Sequence, residues 1–150
     1  MKFTRLLAVT AVAATTATMA IPDEATIGAR QGQFKLFSHN LGVLGGMAQG
    51  RMDYDAEVAQ TAADNLFHLS RHDQSRLWPE GTDTMSVEGT RALPAIWEDF
   101  DDFAAKFTSF QEAAVATQAV AGDGLDAMRG ALGPLGAACG ACHDTYREAR

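Results

Sequence analysis

Residues 125–146 read LDAMRGALGPLGAACGACHDTY, and within them Leu125, Met128, Leu132, Leu135, Cys139, Cys142 and Tyr146 are separated by steps of 3, 4, 3, 4, 3 and 4. That alternation keeps all seven on one side of a helix, the a/d pattern of a helix seated on other helices. Two of the seven are cysteines, and His143 follows the second. Cys-x-x-Cys-His is the spacing of a c-type haem attachment site. Thiols at i and i+3 share a helix face and reach the two vinyl groups of one porphyrin. A histidine directly after the second cysteine can turn an imidazole nitrogen onto the iron. Gly140 and Ala141 are small, so a flat macrocycle can approach the backbone. The expectation is one haem c per chain, bonded to Cys139 and Cys142 and ligated by His143.

Two other readings of the cysteines are weaker. A thiol–disulfide redox pair usually opens a helix after a strand, whereas this pair comes late in a helical pattern. Structural zinc takes four ligands, and His39, His68 and His72 do not form a second pair. One feature disturbs the pattern. Pro134 removes the amide that would bond the Gly130 carbonyl, and with Gly130, Gly133 and Gly136 around it a kink or a restart is expected.

Three further helical segments precede this one. The first runs from about Pro22 to Gly50, with Ile27, Phe34, Phe37, Leu41, Leu44 and Ala48 at helical steps. Asp53 then offers an N-cap to a second segment with Val58, Ala62, Leu66 and Leu69, expected to stop before Trp78-Pro79. Residues 79–90, PEGTDTMSVEGT, carry no stripe and read as an ordered loop. The third segment opens at Pro94 and carries Trp97, Phe100, Phe103, Phe107, Phe110 and Ala114. Asp101 and Asp102 fall largely on a solvated face, and Trp78 and Trp97 read as packing residues. No alternating β-branched run suggests a strand. The fold class is therefore all-α, an antiparallel four-helix bundle with the cofactor near the C-terminal helix.

The chain has 150 residues, enough for one domain. Its 47% hydrophobic and 21% charged residues exclude a wholly disordered chain. A formal charge of −7 disfavours nucleic-acid partners. The first twenty residues carry the three-part pattern of a signal peptide. Lys2 and Arg5 form a basic head, Leu6 to Ala14 is apolar apart from Thr10, and Thr18-Met19-Ala20 is a small-residue cleavage site. Cleavage after Ala20 takes 20 residues from 150 and leaves residues 21–150 as the haem domain. Losing Lys2 and Arg5 moves the charge from −7 to −9. The mature protein is expected to be exported, with no membrane insertion.

CGACHDTYR near the C-terminus, LWPEGT after the second segment, AIWEDFDDFAAK in the third and GARQGQF in the first together resemble cytochrome c′, the class II cytochromes c of bacterial periplasms. The resemblance spans essentially the whole mature sequence. It implies a five-coordinate, high-spin iron with His143 as sole protein ligand and an apolar opposite face that admits NO or CO. It further implies Arg30 and Gln31 near the haem propionates, Phe34 over the open iron face and Arg147 near the ligating histidine. It also implies a homodimer packed through the first two helices, where Gly42, Gly45 and Gly46 would allow close approach.

Two alternatives fit the sequence less well. A six-coordinate low-spin electron carrier, like the cytochrome c-556 relatives, needs a first-helix methionine near Phe34, and the nearest is Met47, thirteen residues away. A peroxidase needs an acid–base group opposite the iron. Phe34 carries none, and His39 lies about 140° further around the helix. The sequence does not specify a redox partner, and electron transfer stands beside ligand binding as the expected work.

Overall fold

The computed structural model describes residues 24–149. The predicted leader and its cleavage site lie outside them. The described residues form helices α1 (Glu24–Ala48), α2 (Ala56–Ser70), α3 (Ala95–Glu98), α4 (Phe100–Gln118) and α5 (Leu125–Tyr146). The four long helices make a closed square: α1 packs on α2 and α5, and α4 packs on α2 and α5. Side-chain hydrogen bonds show that neighbours run antiparallel. Gln33 Nε2 donates to the Leu69 carbonyl at 3.1 Å, and seven residues on, Asn40 Oδ1 accepts from Asn65 at 3.1 Å. Likewise Gln111 reaches the Ser70 carbonyl while Gln60 reaches that of Gln118. The expected all-α bundle is the observed one; among the described residues the only β pairing is an isolated bridge between Ala92 and Arg147.

The helix ends depart from expectation in four places. The cap of α2 is Asp55, whose carboxylate accepts from the Val58 amide, and not Asp53. Gly50, at φ +70°, carries the chain past α1, so the turn uses two more residues than the acidic signal at Asp53 suggests. Helix α2 ends at Ser70, eight residues before Trp78, because Gln111 and the Ser70 hydroxyl close its last turn. The third segment is broken at Asp99, whose extended backbone ends α3 while its carboxylate caps α4 through the Asp102 amide. Phe100, next to the break, is consequently exposed. Finally, α5 runs through Pro134 without a restart. Pro134, Gly133 and Gly136 all lie on the exposed side, where no packed neighbour resists the local adjustment that the ring demands.

The core has two parts. The larger contains Phe37, Leu44, Met47, Ala59, Leu66, Phe110, Ala114, Met128 and Leu135. The smaller contains Leu77, Trp78, Ala92, Ile96, Phe103 and Tyr146. Phe34 packs against both. Gly46 is filled from within, since a Cβ there would meet Met52 Sδ at 2.9 Å, and Gly45 lies beside Gln49. Of the three glycines read as room for a partner helix, only Gly42 has open space.

Candidate haem site

A cavity of about 560 Å³ lies between the two parts of the core, within the usual range for cofactor sites. Phe34, Phe37 and Leu41 of α1, Phe103, Phe107 and Phe110 of α4, and Trp78 and Ile96 form its apolar walls. Ala138, Cys139, Cys142 and His143 enter from α5. The heptad spacing accounts for this directly: the cysteines continue the stripe of Met128 and Leu135, so they face the bundle interior as those residues do.

The thiols of Cys139 and Cys142 are free and half-buried. Burial pushes both above the usual thiol range, Cys142 to about 11. Dithiol redox chemistry wants the opposite shift. His143 is half-buried, and its pKa is lowered by that burial and then by the charges of Arg147 and Arg91. The imidazole is thus held in the neutral form that ligates metals. Arg147 Nη1 stands 3.4 Å from His143 Nε2. Across the cavity, the Phe34 ring lies 6.5 Å from the His143 ring, tilted by 57°. The two rings thus stand on opposite sides of the slot, where His143 would ligate a haem iron and Phe34 would border its other face.

The ionic lining is one-sided. Arg30, Lys35, Arg91, Lys106 and Arg147 border the cavity, and no carboxylate does, in a chain whose net charge is −7. An apolar slot ringed by cations fits a hydrophobic macrocycle with two carboxylate arms. Trp78, part of the wall, keeps its buried indole N–H without a partner among the described residues.

All the residues singled out from the sequence, Arg30, Gln31, Phe34, Cys139, Cys142, His143 and Arg147, come together on this cavity. Arg30 and Gln31 have further engagements. Gln31 Nε2 donates to the Gly89 carbonyl at 2.7 Å, and Arg30 is bonded throughout its guanidinium tip, as taken up below. Lys35 and Arg91 carry no local signal in the sequence. Lys106 falls largely off the aromatic stripe of the third segment and yet borders the cavity, as do Phe103 and Phe107 on that stripe. Tyr146 completes the stripe. Its hydroxyl donates to Asp102 Oδ2 at 2.6 Å, and Asp102 also pairs with Lys106 at 3.1 Å.

A four-helix bundle that turns Cys-x-x-Cys-His into an apolar, cation-rimmed slot is a c-type haem protein of the bundle class. Comparison with known proteins narrows the class. The family model described as Cytochrome C′ matches residues 25–147, and the chain belongs to that family. It is 49% identical over 125 residues to a cytochrome c-554 of Cereibacter sphaeroides, covering 83% of this chain and 82% of that protein. A solved cytochrome c′ from Rhodobacter sphaeroides superposes with a TM-score of 0.83 at 41% identity, covering 85% of this chain and 98% of that one. A nitric oxide complex of a variant cytochrome c prime from Alcaligenes xylosoxidans does so with a TM-score of 0.72 at 33% identity, covering 85% and 96%. Haem c, covalently held, is the family's cofactor.

Proposed function

We propose that the mature protein is a periplasmic haem c protein whose iron keeps one position open to NO and CO. In this reading Cys139 and Cys142 carry the thioether bonds, and His143 is the only protein ligand. The haem supplies a redox-active iron that binds diatomic gases and passes single electrons. The chain supplies a neutral imidazole on one side and the Phe34 ring on the other. The carrying observation is the makeup of the wall opposite His143. Among the described residues that line the cavity there is no methionine, no carboxylate and no second histidine. Met47, the methionine that a six-coordinate carrier would need, is 2% exposed and packed with Leu44 and Leu66 in the larger core. An acid–base partner for peroxide cleavage is lacking from the same wall, so ligand binding and electron transfer fit better than catalysis. The nitric oxide complex of the Alcaligenes relative supports the choice of ligand.

Absorption spectra of the ferrous protein with and without CO and NO test this. A high-spin spectrum that shifts on each gas is expected; a low-spin spectrum unchanged by either would overturn it. The reading includes a homodimer through α1 and α2, whose outer faces expose Leu36 and Val58. Sedimentation at micromolar concentration should give twice the chain mass, and a monomer would remove that part alone.

A further inference from the structure

Arg30 is 3% exposed, and no carboxylate pairs with it among the described residues. A buried cation without a counter-ion costs several kcal/mol unless its donors are satisfied. Here they are. Nη1 donates to the Leu77 carbonyl at 3.3 Å and to Thr82 Oγ1 at 3.1 Å. Nη2 donates to the Thr82 carbonyl at 3.0 Å and to Thr90 Oγ1 at 2.8 Å. The guanidinium also stacks over the Trp78 ring at 4.6 Å. Four bonds use all four Nη hydrogens, leaving only Nε–H for anything else. Every acceptor belongs to one stretch of chain, residues 77–90.

That stretch is a strap. It leaves α2, crosses the cavity, and returns to α3, and Trp78, Gly89, Thr90, Arg91 and Ala92 form one wall of the haem slot. Between its ends it has its own bracing. Asp83 accepts from the Met85 and Ser86 amides, and the Thr84 amide bonds the Ala92 carbonyl at 2.8 Å. Its far edge is clipped to the chain beyond His143 by the Leu93 amide on the Tyr146 carbonyl and the Glu148 amide on the Arg91 carbonyl. No helix spans residues 77–90, so the wall is held by these bonds, by Gln31 on the Gly89 carbonyl, by Trp97 on the Trp78 carbonyl, and by the four bonds of Arg30.

We infer that Arg30 is a positioning residue for the strap: its guanidinium acts on Thr82 and Thr90 to fix one wall of the haem slot, and through that wall it sets how fast small ligands enter. The inference rests on the proposed ligand-binding role only for its last clause. Direct propionate ligation by Arg30 is the competing assignment, and its bonding leaves little for that.

The test compares Arg30→Gln and Thr90→Val in the ferric and ferrous holoprotein. Thr90→Val leaves the guanidinium intact and removes one of its acceptors; because Thr90 Oγ1 also accepts from the Ala92 amide at 3.2 Å, the readout is taken at amides that Thr90 does not bond. Amide hydrogen exchange of the ferric protein, with no gas present, reads the strap. Each variant is expected to lower protection at Thr84 and Leu93, whose amides bond the Ala92 and Tyr146 carbonyls, by about tenfold or more, the effect of losing a charge-assisted hydrogen bond, with α2 and α4 unchanged. CO association with the ferrous protein is expected to quicken in both. A folded Thr90→Val protein with strap protection within about twofold of wild type overturns the positioning role. Loosened straps with unchanged CO kinetics overturn the effect on ligand entry. If Arg30→Gln does not fold, Thr90→Val decides alone. A wild type that binds no CO defeats the proposed function, and the exchange data still judge the strap.

Discussion

Replacing Phe34 by alanine tests the geometry of the open face. The Phe34 ring stands 6.5 Å from the His143 ring across the slot, so on the proposed ligand-binding role the phenyl must swing aside to admit a gas opposite His143. What it gives up is readable. Phe34 makes edge-on contacts with Phe37 at 5.7 Å and with Trp78 at 6.3 Å. Each is worth about 0.5–1.5 kcal/mol, so displacement costs about 1–3 kcal/mol. Removing the ring removes that barrier, and CO association should accelerate by roughly tenfold to hundredfold. Full burial of a phenylalanine is worth about 3–5 kcal/mol against alanine. Phe34 is only half-buried, so the variant should lose about 2 kcal/mol and stay folded. Circular dichroism and the haem spectrum establish folding, and flash photolysis of the CO adduct gives the rate. A folded Phe34→Ala protein whose CO association stays within about twofold of wild type would mean that Phe34 does not stand over the iron.

Three other outcomes are expected. Cys139→Ala with Cys142→Ala should release haem into acid–acetone, while the wild type retains it; a wild-type chain whose mass lacks one haem would refute the attachment. Asp102 has its pKa lowered first by the Tyr146 hydrogen bond and then by Lys106, so its contribution is present above the unfolded value of about 3.9 and fades as pH falls through the lower folded value. Asp102→Asn should flatten the denaturation midpoint against pH in that acid window, and a curve parallel to wild type would refute the linkage. Leu66→Ala, at a fully buried position of the larger core, should cost about 2–5 kcal/mol in urea unfolding, with the haem spectrum unchanged.

The bundle and its motif were legible because both are local. The face of α5 follows from the spacing of seven residues, and the cysteines are two of those seven. Asp53 and Asp55 are equally good caps in composition; only the geometry of the Gly50 turn decides between them. The break at Asp99 was hidden because Trp97, Phe100 and Phe103 continue a helical period straight through it. Residues 79–90 read as an ordered loop, but what anchors that strap was not legible. Arg30 meets Thr90 across 60 residues, and nothing in either neighbourhood announces the other. Phe103 and Phe107 pack inward as their stripe predicts, and what they pack around is the slot. Distances in sequence, rather than weak signals, separate what was readable from what was not.

The clip between residues 91–93 and 146–148 also fixes an order of assembly. A chain made from its N-terminus can pair α1 with α2 as soon as Ser70 has emerged, since the bonds from Gln33 to Leu69 and from Asn65 to Asn40 need nothing later. The wall formed by Thr90, Arg91 and Ala92 cannot be finished then, because its edge is held by the carbonyl of Tyr146 and the amide of Glu148. The slot therefore closes last, when the same turns of α5 that carry the two thiols are in place. The Cys-x-x-Cys-His motif and the edge of the pocket wall thus draw on one stretch of backbone, the last turns of α5 and the residues just beyond.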